Sequence, residues 1–441
     1  MILYIVLCCD NFREYQMDSE NMEEELRKLE ELAKDSAVGE TMYDKKSVIE
    51  KILEVGKHFQ QTPYITDGEL RELDKDIEEK LCTLWDISVE EDVSQFYLDH
   101  GVLDIFIELF SNPNNRVKEI AAGIMSNMVF HPTVFLKLME VDKYLESCSK
   151  LLEEKDSPTL VVTLRILHSY SFNLFQLLNS DDRERRSKED IKNVLNRFLV
   201  YLSLERIVRN IGIIVASCTN KEVLLNASKF LSIFSELWEY CEERSKVSQY
   251  FAEEQFIVCV LEAITESLGE DKTEKHLAVF LNIIYENDVD KDTSAALSDK
   301  VLVITNKLLK EHVLKYNNVE EADLEFIFNL LYLVQVSLNS GGYESIPYRL
   351  SSTLASVRSR LDVSDLDKNS VNMGSVFRIL GSLEAFLETI KTDHPGNGHG
   401  QDDDDSCSTT SESSLANTPR ATFGTPQTFD TPQSSFNTPR N

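Results

Sequence analysis

The stretch that decides the fold is NNRVKEIAAGIMSNMVF, residues 114–130. Its apolar residues recur at helical spacing and predict a helix with one apolar stripe. The stripe consists of Val117, Ile120, Ala121, Ile124, Met125 and Met128. Small residues at 121–123 would let a neighbouring helix approach closely, and the polar Asn127 falls near the helix end. Such a helix needs neighbouring helices to cover its apolar face.

The same pattern returns along the chain and predicts a repeat. Residues 157–172, SPTLVVTLRILHSYSF, follow the first helix by about 42 residues, a period typical of armadillo and HEAT units. Further copies fall at 221–237, 274–287, 323–338 and 374–390. A coiled coil is disfavoured because heptads are not sustained and Pro158 and Pro347 interrupt them. The prediction is an all-α, armadillo/HEAT-like α-solenoid of about six units, in which stacking buries each apolar face.

Composition divides the chain into three parts. Residues 1–39 read as a flexible N-terminal segment, and its opening apolar run, MILYIVLCCD, lacks the basic start and cleavage site of a signal peptide. Residues 40–392 carry the repeats. Residues 393–441 are an acidic, Thr-Pro-rich tail that contains too little apolar surface to fold, and we expect it to be disordered.

The net charge of −31 limits the partners. Nucleic-acid affinity comes largely from Lys and Arg that displace counterions, so direct nucleic-acid binding is not expected, and neither is membrane binding. The natural complement is a protein with a basic surface or a basic peptide. Solubility alone would also explain the charge.

Catalytic motifs are missing from the sequence. It contains no phosphate-binding glycine loop, no His-Glu-x-x-His and no nucleophile elbow, and its eight cysteines form no Cys-x-x-Cys pair. We therefore expect no enzyme activity, no catalytic residue, no metal and no cofactor. The cysteines indicate an intracellular, reduced protein. One calcium-loop pattern, at Asp288, Asp290, Asp292 and Asp299, has Thr293 where the sharp turn needs Gly. A solvated acidic loop is the better interpretation.

Asn127 is the first candidate for partner binding, together with Arg116 and Glu119 on the same helix. An Asn amide on the third helix of an armadillo unit can hold an extended peptide by donating to and accepting from its backbone. A peptide groove uses a ladder of such residues. The corresponding helices instead offer Ser169, Ser232 or Ser235, and Asn282 or Asn329. An importin-like or HEAT-type transport adaptor therefore stays an alternative, as does a purely structural role for Asn127.

The tail carries four Thr-Pro pairs, at Thr418, Thr425, Thr431 and Thr438. Pro after Thr is what proline-directed kinases require, so these four residues are the candidate phosphorylation sites. Docking motifs in several copies, or low-complexity drift, would explain the same pattern. RERRSK at 183–188 has the charge of a nuclear import signal, but flanking acidic residues also fit a mixed-charge surface loop.

Residues 81–93, LCTLWDISVEEDV, include Trp85, Asp86 and Asp92 and are followed by LDIFIELF and RVKEIAAGIMSNM. This order resembles the serum amyloid A-like (synoviocyte proliferation-associated) protein family over roughly residues 40–172. The resemblance implies an armadillo-type fold, a nuclear or nucleocytoplasmic location, a positive role in cell proliferation and no established enzymatic activity. From the residues themselves, Trp85 is expected to anchor the core, and Asp86 or Ser88 to cap the following helix. The predicted function is a non-catalytic protein–protein interaction scaffold.

Overall fold

The computed structural model describes residues 37–61, 65–66, 69–70, 72–179, 188–201, 204–241, 244–267, 272–287, 289–314, 321–341, 347–363 and 371–393. These residues are almost entirely helical, apart from a small antiparallel hairpin in which β1 (Ile65–Thr66) pairs with β2 (Glu69–Leu70). None of the helices in these ranges is long and apolar enough to cross a membrane.

The helices follow one another in groups. The chain begins with α1 (Lys45–Gln61) and α2 (Lys75–Ile87). Four three-helix groups follow: α3 (Glu91–Asp99), α4 (Leu103–Leu109) and α5 (Asn115–Phe130); α6 (Pro132–Leu138), α7 (Asp142–Leu151) and α8 (Ser157–Asn179); α9 (Lys188–Tyr201), α10 (Leu204–Ser217) and α11 (Lys221–Leu237); α12 (Arg244–Ser248), α13 (Glu254–Glu266) and α14 (Thr273–Asn287). Two helix pairs close the chain, α15 (Lys291–Leu309) with α16 (Glu321–Ser340), and α17 (Pro347–Val363) with α18 (Val371–Asp393).

The last helix of each group packs against the last helix of the next. These contacts join α2, α5, α8, α11, α14, α16 and α18 into one continuous layer, here called the long-helix layer. The six predicted repeat helices are the last six members of this layer. The armadillo/HEAT-like α-solenoid is therefore confirmed, since each helix buries its stripe against neighbours on both sides rather than in a central core.

Helix α5 shows how the sequence sets the ends of an element. The side chain of Asn114 accepts a hydrogen bond from the backbone N–H of Arg116 and caps the helix. The helix ends at His131 because Pro132 follows, and a residue before proline is driven out of the helical region. The predicted apolar stripe is buried, with Ile120, Ile124 and Met128 fully covered.

Helix α2 begins at Lys75, where the Asp74 side chain caps it, and Leu70 pairs with Ile65 in the hairpin before it. The cap predicted for the helix that follows α2 is wrong. Neither Asp86 nor Ser88 caps α3. Asp86 lies within α2, and Ser88 ends α2 by donating its hydroxyl to the carbonyl of Trp85. An apolar run that fits a helical wheel does not show where the backbone first acquires a cap.

The packed chain begins before residue 40. Val38 is buried, and the backbone of Ala37 pairs with that of Asp44. Gly39 has a positive φ of 55°, and a Cβ there would lie 2.0 Å from Oδ2 of Asp92. The same carboxylate accepts a hydrogen bond from the backbone N–H of Glu40 at 2.7 Å. Asp92 therefore fastens the first described residues to the start of α3.

Candidate partner-binding face

The exposed side of α5 carries the predicted site residues. Arg116, Glu119 and Asn127 are half-buried, and Phe130, at the end of the helix, is 71% exposed. Glu119, Asn127 and Phe130 follow Arg116 by 3, 11 and 14 residues, which is close to one, three and four helical turns. The four side chains therefore lie on the same, partly exposed side of α5.

Arg116 is held in place by three partners. Its Nε donates to Glu78 on α2 at 2.8 Å, its Nη1 donates to Glu119 at 2.8 Å, and its Nη2 lies 3.4 Å from the sulfur of Cys82. Both hydrogen bonds join charged groups, which makes them stronger than neutral ones. Arg116 and Glu119 thus tie α5 to α2, and a partner that contacted them would meet a preformed ion-pair network.

Asn127 binds the end of the preceding layer helix. Its Nδ2 donates to the backbone carbonyl of Trp85 at 3.3 Å and to the hydroxyl of Ser88 at 3.0 Å. Asn173 on α8 does the same one repeat later, with Nδ2 2.7 Å from the carbonyl of Val129. Sequence reasoning missed Asn173, because a fixed period pointed to Ser169. An asparagine near the end of a long repeat helix is the signal that could have found it.

The side chain of Trp85, a residue of α2, packs against α5. A Cβ atom placed on Gly123 would be 2.1 Å from Cε2 of the indole, so the ring lies directly on the glycine. The ring is half-buried and packs against the core, as expected for an anchor. The close approach that the small residues at 121–123 allow is therefore made by an aromatic ring.

The turn between α2 and α3 extends this surface. Val89 is 60% exposed, and Asp86, Glu90 and Glu91 around it are exposed as well. The carboxylate of Glu91 accepts a hydrogen bond from the hydroxyl of Thr133, which brings this turn against the start of α6. We call the combined surface the Trp85 face; it consists of Trp85, Asp86, Val89, Glu90, Glu91, Arg116, Asn127 and Phe130.

The Trp85 face combines apolar and acidic side chains. Two exposed apolar side chains, Val89 and Phe130, stand among exposed carboxylates. No group of three or more His, Cys, Asp or Glu suited to a metal occurs in the part of the chain that the structure describes. Burial raises the pKa of the Cys82 thiol, the cysteine nearest to this face, which disfavours its reactive thiolate.

Several sequence predictions fall elsewhere. Thr418, Thr425, Thr431 and Thr438 lie outside the described residues, as do most of the basic loop at 183–188 and the first position of the calcium-loop pattern. Within that pattern, Asp290 caps α15 by accepting from the backbone N–H groups of Asp292 and Thr293. Hydrogen bonds at the cap lower the pKa of this carboxyl, as expected for a charged N-cap.

A second group of titratable side chains, which sequence reasoning missed, lies further along the long-helix layer. Burial first, and then the charge of Lys229, lowers the pKa of His168 and of His276 to about 4. Burial and repulsion from Glu325 and Glu239 raise the pKa of Glu236 to about 7. Single residues scattered over four helices gave no motif, and only stacking places them near one another.

Part of this chain is similar in sequence to known proteins. A comparison with protein-family models finds no match. The protein SAAL1 of Danio rerio is 31% identical over 136 residues, which is 30% of this chain and 28% of that protein. SAAL1 of Homo sapiens is 29% identical over 136 residues, with the same two shares, and SAAL1 of Mus musculus is 27% identical over 143 residues, 31% of this chain and 30% of that protein.

The curated homologues are the SAAL1 proteins. The resemblance to the serum amyloid A-like family is therefore confirmed, as a partial match. The aligned part spans less than a third of the length of each SAAL1 relative named above. What the whole SAAL1 protein does is accordingly no more than a proposal for this chain.

Solved structures with a similar course of the chain are engineered repeat proteins. A designed armadillo repeat protein, YIII(Dq)4CqI, aligns with a TM-score of 0.42 and 12% identity over 65% of this chain and 98% of its own. An engineered protein from a structural genomics consortium aligns with a TM-score of 0.42 and 14% identity, over 67% and 99%.

Proposed function

We propose that this chain is a non-catalytic scaffold that binds a protein partner through the Trp85 face. The observation that carries the proposal is the exposure of Phe130 and Val89 on a rigid surface. Exposed apolar surface that is rimmed by polar residues marks interaction sites. Asn127 fixes the end of α2 against α5, so the two apolar side chains are presented by elements that do not have to rearrange.

The partner is a protein with a basic surface or a basic peptide. Asp86, Glu90 and Glu91 surround Val89 and are exposed, and the whole chain carries a net charge of −31. Arginine or lysine side chains of a partner would meet these carboxylates while apolar groups cover Phe130. Charge complementarity of this kind speeds association and sets specificity more than it adds affinity. Neither a nucleic acid nor a membrane surface fits this charge.

An importin-like adaptor is the less well supported alternative. In that mode, Asn side chains of the layer must grip the backbone of a bound peptide. Here the amide nitrogens of Asn127 and Asn173 donate to carbonyls of the preceding helix, and that of Asn282 donates to the side chain of Asn329 at 3.1 Å. The side-chain amides of these asparagines therefore stabilise the packing of the layer.

The cellular role we propose follows the SAAL1 relatives. The chain acts in the nucleus or the cytoplasm as a positive regulator of cell proliferation, and proline-directed kinases phosphorylate its tail. Phosphate at Thr418, Thr425, Thr431 and Thr438 would add about −1.5 to −2 charges per site. Mass spectrometry of the protein from dividing cells tests the tail: absence of phosphate at all four residues contradicts this part.

Affinity purification with matched variants tests the face. Phe130→Ala and Val89→Ala should each reduce recovery of the main partner several-fold. Val200→Ala is the control, because Val200 is 74% exposed on α9 but lies outside the face. Recovery should also fall as salt rises, since exposed charge pairs are screened. Equal recovery with Phe130→Ala, Val89→Ala and Val200→Ala would show that the partner binds elsewhere.

Rescue of growth tests the cellular role. Cells depleted of the protein should divide more slowly and recover with the wild-type chain or Val200→Ala. The double variant Val89→Ala/Phe130→Ala should fail to restore division although it accumulates to the same level. If the double variant restores division fully, partner binding at the Trp85 face is not what supports proliferation.

A further inference from the structure

Three basic side chains cross consecutive helices of the long-helix layer, away from the Trp85 face. His168 lies on α8, Lys229 on α11 and His276 on α14, and all three are half-buried. The hydroxyl of Tyr240, just beyond α11, donates to Asn179 on α8 at 2.6 Å. Tyr240 and Asn179 are 61 residues apart, as are Lys229 and His168. This register places Lys229 near His168, and its charge acts on the imidazoles of both His168 and His276. We call the three residues the basic cluster.

Among the residues that the structure describes, the basic cluster has no anionic partner. Lys229 forms no ion pair with any residue that the structure describes, and its charge acts on both imidazoles. His168 stacks on Phe172 at 6.3 Å and makes no hydrogen bond through its ring within the described ranges. With pKa values near 4, both rings are neutral at pH 7, and each carries one N–H donor. A cation and two N–H donors that no described residue pairs with are the complement of an anion.

We propose that the basic cluster binds a phosphate monoester at Thr418 of the chain's own tail. This inference rests on the tail phosphorylation proposed above. A phosphate at that residue brings about −1.5 to −2 charges and three acceptor oxygens. One oxygen can accept from the Lys229 ammonium and the others from an N–H of each imidazole, so the three oxygens match the three donors.

The length of the chain decides which part of the tail can reach. Neighbouring helices of the layer are about 8–10 Å apart, so α14 lies about 20 Å and α11 about 30 Å from α18. Helix α18 has 23 residues and is about 35 Å long. The end of α18 is therefore at most about 45 Å from the basic cluster, whichever way the helix points. From Asp393 to Thr418 there are 25 residues, which can extend about 85 Å.

The acidic run at 402–405 is a poorer occupant. Asp402 is nine residues past Asp393 and can extend about 30 Å, and Asp405 about 40 Å. Both reaches are shorter than the largest distance between the end of α18 and the basic cluster, about 45 Å. A fully stretched chain would also lose most of its conformational entropy. Thr418 reaches the cluster with slack, and tethering holds its phosphate at an effective concentration in the millimolar range.

Fluorescence anisotropy with a labelled peptide of residues 412–424 tests the site directly. The probe is the peptide with phosphothreonine at 418, titrated with the full unphosphorylated chain. It should bind at least tenfold more tightly than the same peptide without phosphate. Lys229→Gln and His276→Gln should each weaken binding at least tenfold, whereas Lys155→Gln, an exposed lysine between α7 and α8, should not. Circular dichroism and the Tm check that each variant is folded.

A second experiment tests whether the chain's own tail occupies the site. The full chain with phosphate at Thr418 should bind the labelled phosphopeptide at least tenfold more weakly than the unphosphorylated chain, because its own tail fills the site. Equal binding by the two forms would overturn the assignment to the tail, and equal binding by Lys229→Gln and wild type would overturn the site. Both arms use a preformed phosphate, so a failure to find phosphorylation in cells would contradict the proposed function alone.

Discussion

The indole ring of Trp85 occupies the space that a Cβ atom on residue 123 would need, 2.1 Å from Cε2. This contact joins α2 to α5 at the centre of the Trp85 face. It gives a physical reason for a glycine inside a long helix, where glycine is otherwise unfavourable by about 0.8–1.0 kcal/mol relative to alanine.

Gly123→Ala should therefore destabilise the protein by about 1–3 kcal/mol, because the ring must move and overpacking outweighs the gain in helix propensity. Chemical denaturation followed by circular dichroism measures the change. Gly374→Ala is the matched control, since a Cβ there meets nothing within 4 Å on α18. It should stabilise by about 0.5–1 kcal/mol. The contact with Trp85 would be refuted if the two substitutions changed stability in the same direction.

Asn173→Ala should cost about 1–3 kcal/mol. The substitution leaves the buried carbonyl of Val129 without its donor. Asn127→Ala should cost less, because Asn127 is only half-buried and water can replace its amide. Thermal unfolding of both variants gives the comparison. A larger loss for Asn127 than for Asn173 would mean that the two amides do not play the same role in successive repeats.

His312→Ala should be the most destabilising of these changes, by about 3–5 kcal/mol. The carboxyl group of Glu274 is fully buried on α14, and Nε2 of His312 lies 3.0 Å from its Oε1. His312 lies in a π-helical turn, Lys310–Leu314, after α15. Removing the imidazole would leave the buried carboxyl group of Glu274 without this partner.

Lys46→Ala serves as the control for that prediction. Its contact with Glu50 is 3.9 Å long and more than half exposed on both sides, so the loss should not exceed about 0.5 kcal/mol. Denaturation midpoints measured in parallel give both values. A loss of less than 1 kcal/mol for His312→Ala would contradict the stabilising role assigned to this contact.

The pH dependence of stability should separate two groups of the layer. The pKa of Glu236, about 7, lies above its unfolded value of 4.5. Its protonated form is therefore favoured by folding, and this contribution is complete below pH 4.5 and lost as the pH rises through 7. Glu236→Gln should thus gain stability relative to wild type between pH 5 and 8, by about 1–2 kcal/mol given its partial exposure.

The imidazoles behave in the opposite sense. The pKa values of His168 and His276, about 4, lie below the unfolded value of 6.5. Their contribution is complete above pH 6.5 and lost as the pH falls through 4. His168→Gln should gain relative to wild type from pH 6.5 down to 4. Urea unfolding at a series of pH values measures how the free energy of unfolding of each variant depends on pH. If a variant shows the same pH dependence as wild type, the pKa shift assigned to the substituted residue is contradicted.

Local patterns sufficed to predict the repeat helices. The stripe of Val117, Ile120 and Ile124 specifies a helix with a buried side whatever surrounds it, and a period of about 42 residues requires stacking. Helix ends were less predictable, because a hydrogen bond from a single cap decides them. The Asp74 side chain caps α2 and places its first residue at Lys75, and an apolar pattern contains no information on that bond.

The sequence by itself determined the class of this protein: an acidic α-solenoid of armadillo-like units with a Thr-Pro tail, because helical periodicity, net charge and short motifs are properties of the chain alone. Only the tertiary structure decided what individual side chains do. It placed Trp85 on Gly123, directed Asn127 to the end of α2, and brought His168 close to Lys229 from 61 residues away. Such contacts depend on the register between stacked helices, which is set by packing over the whole layer.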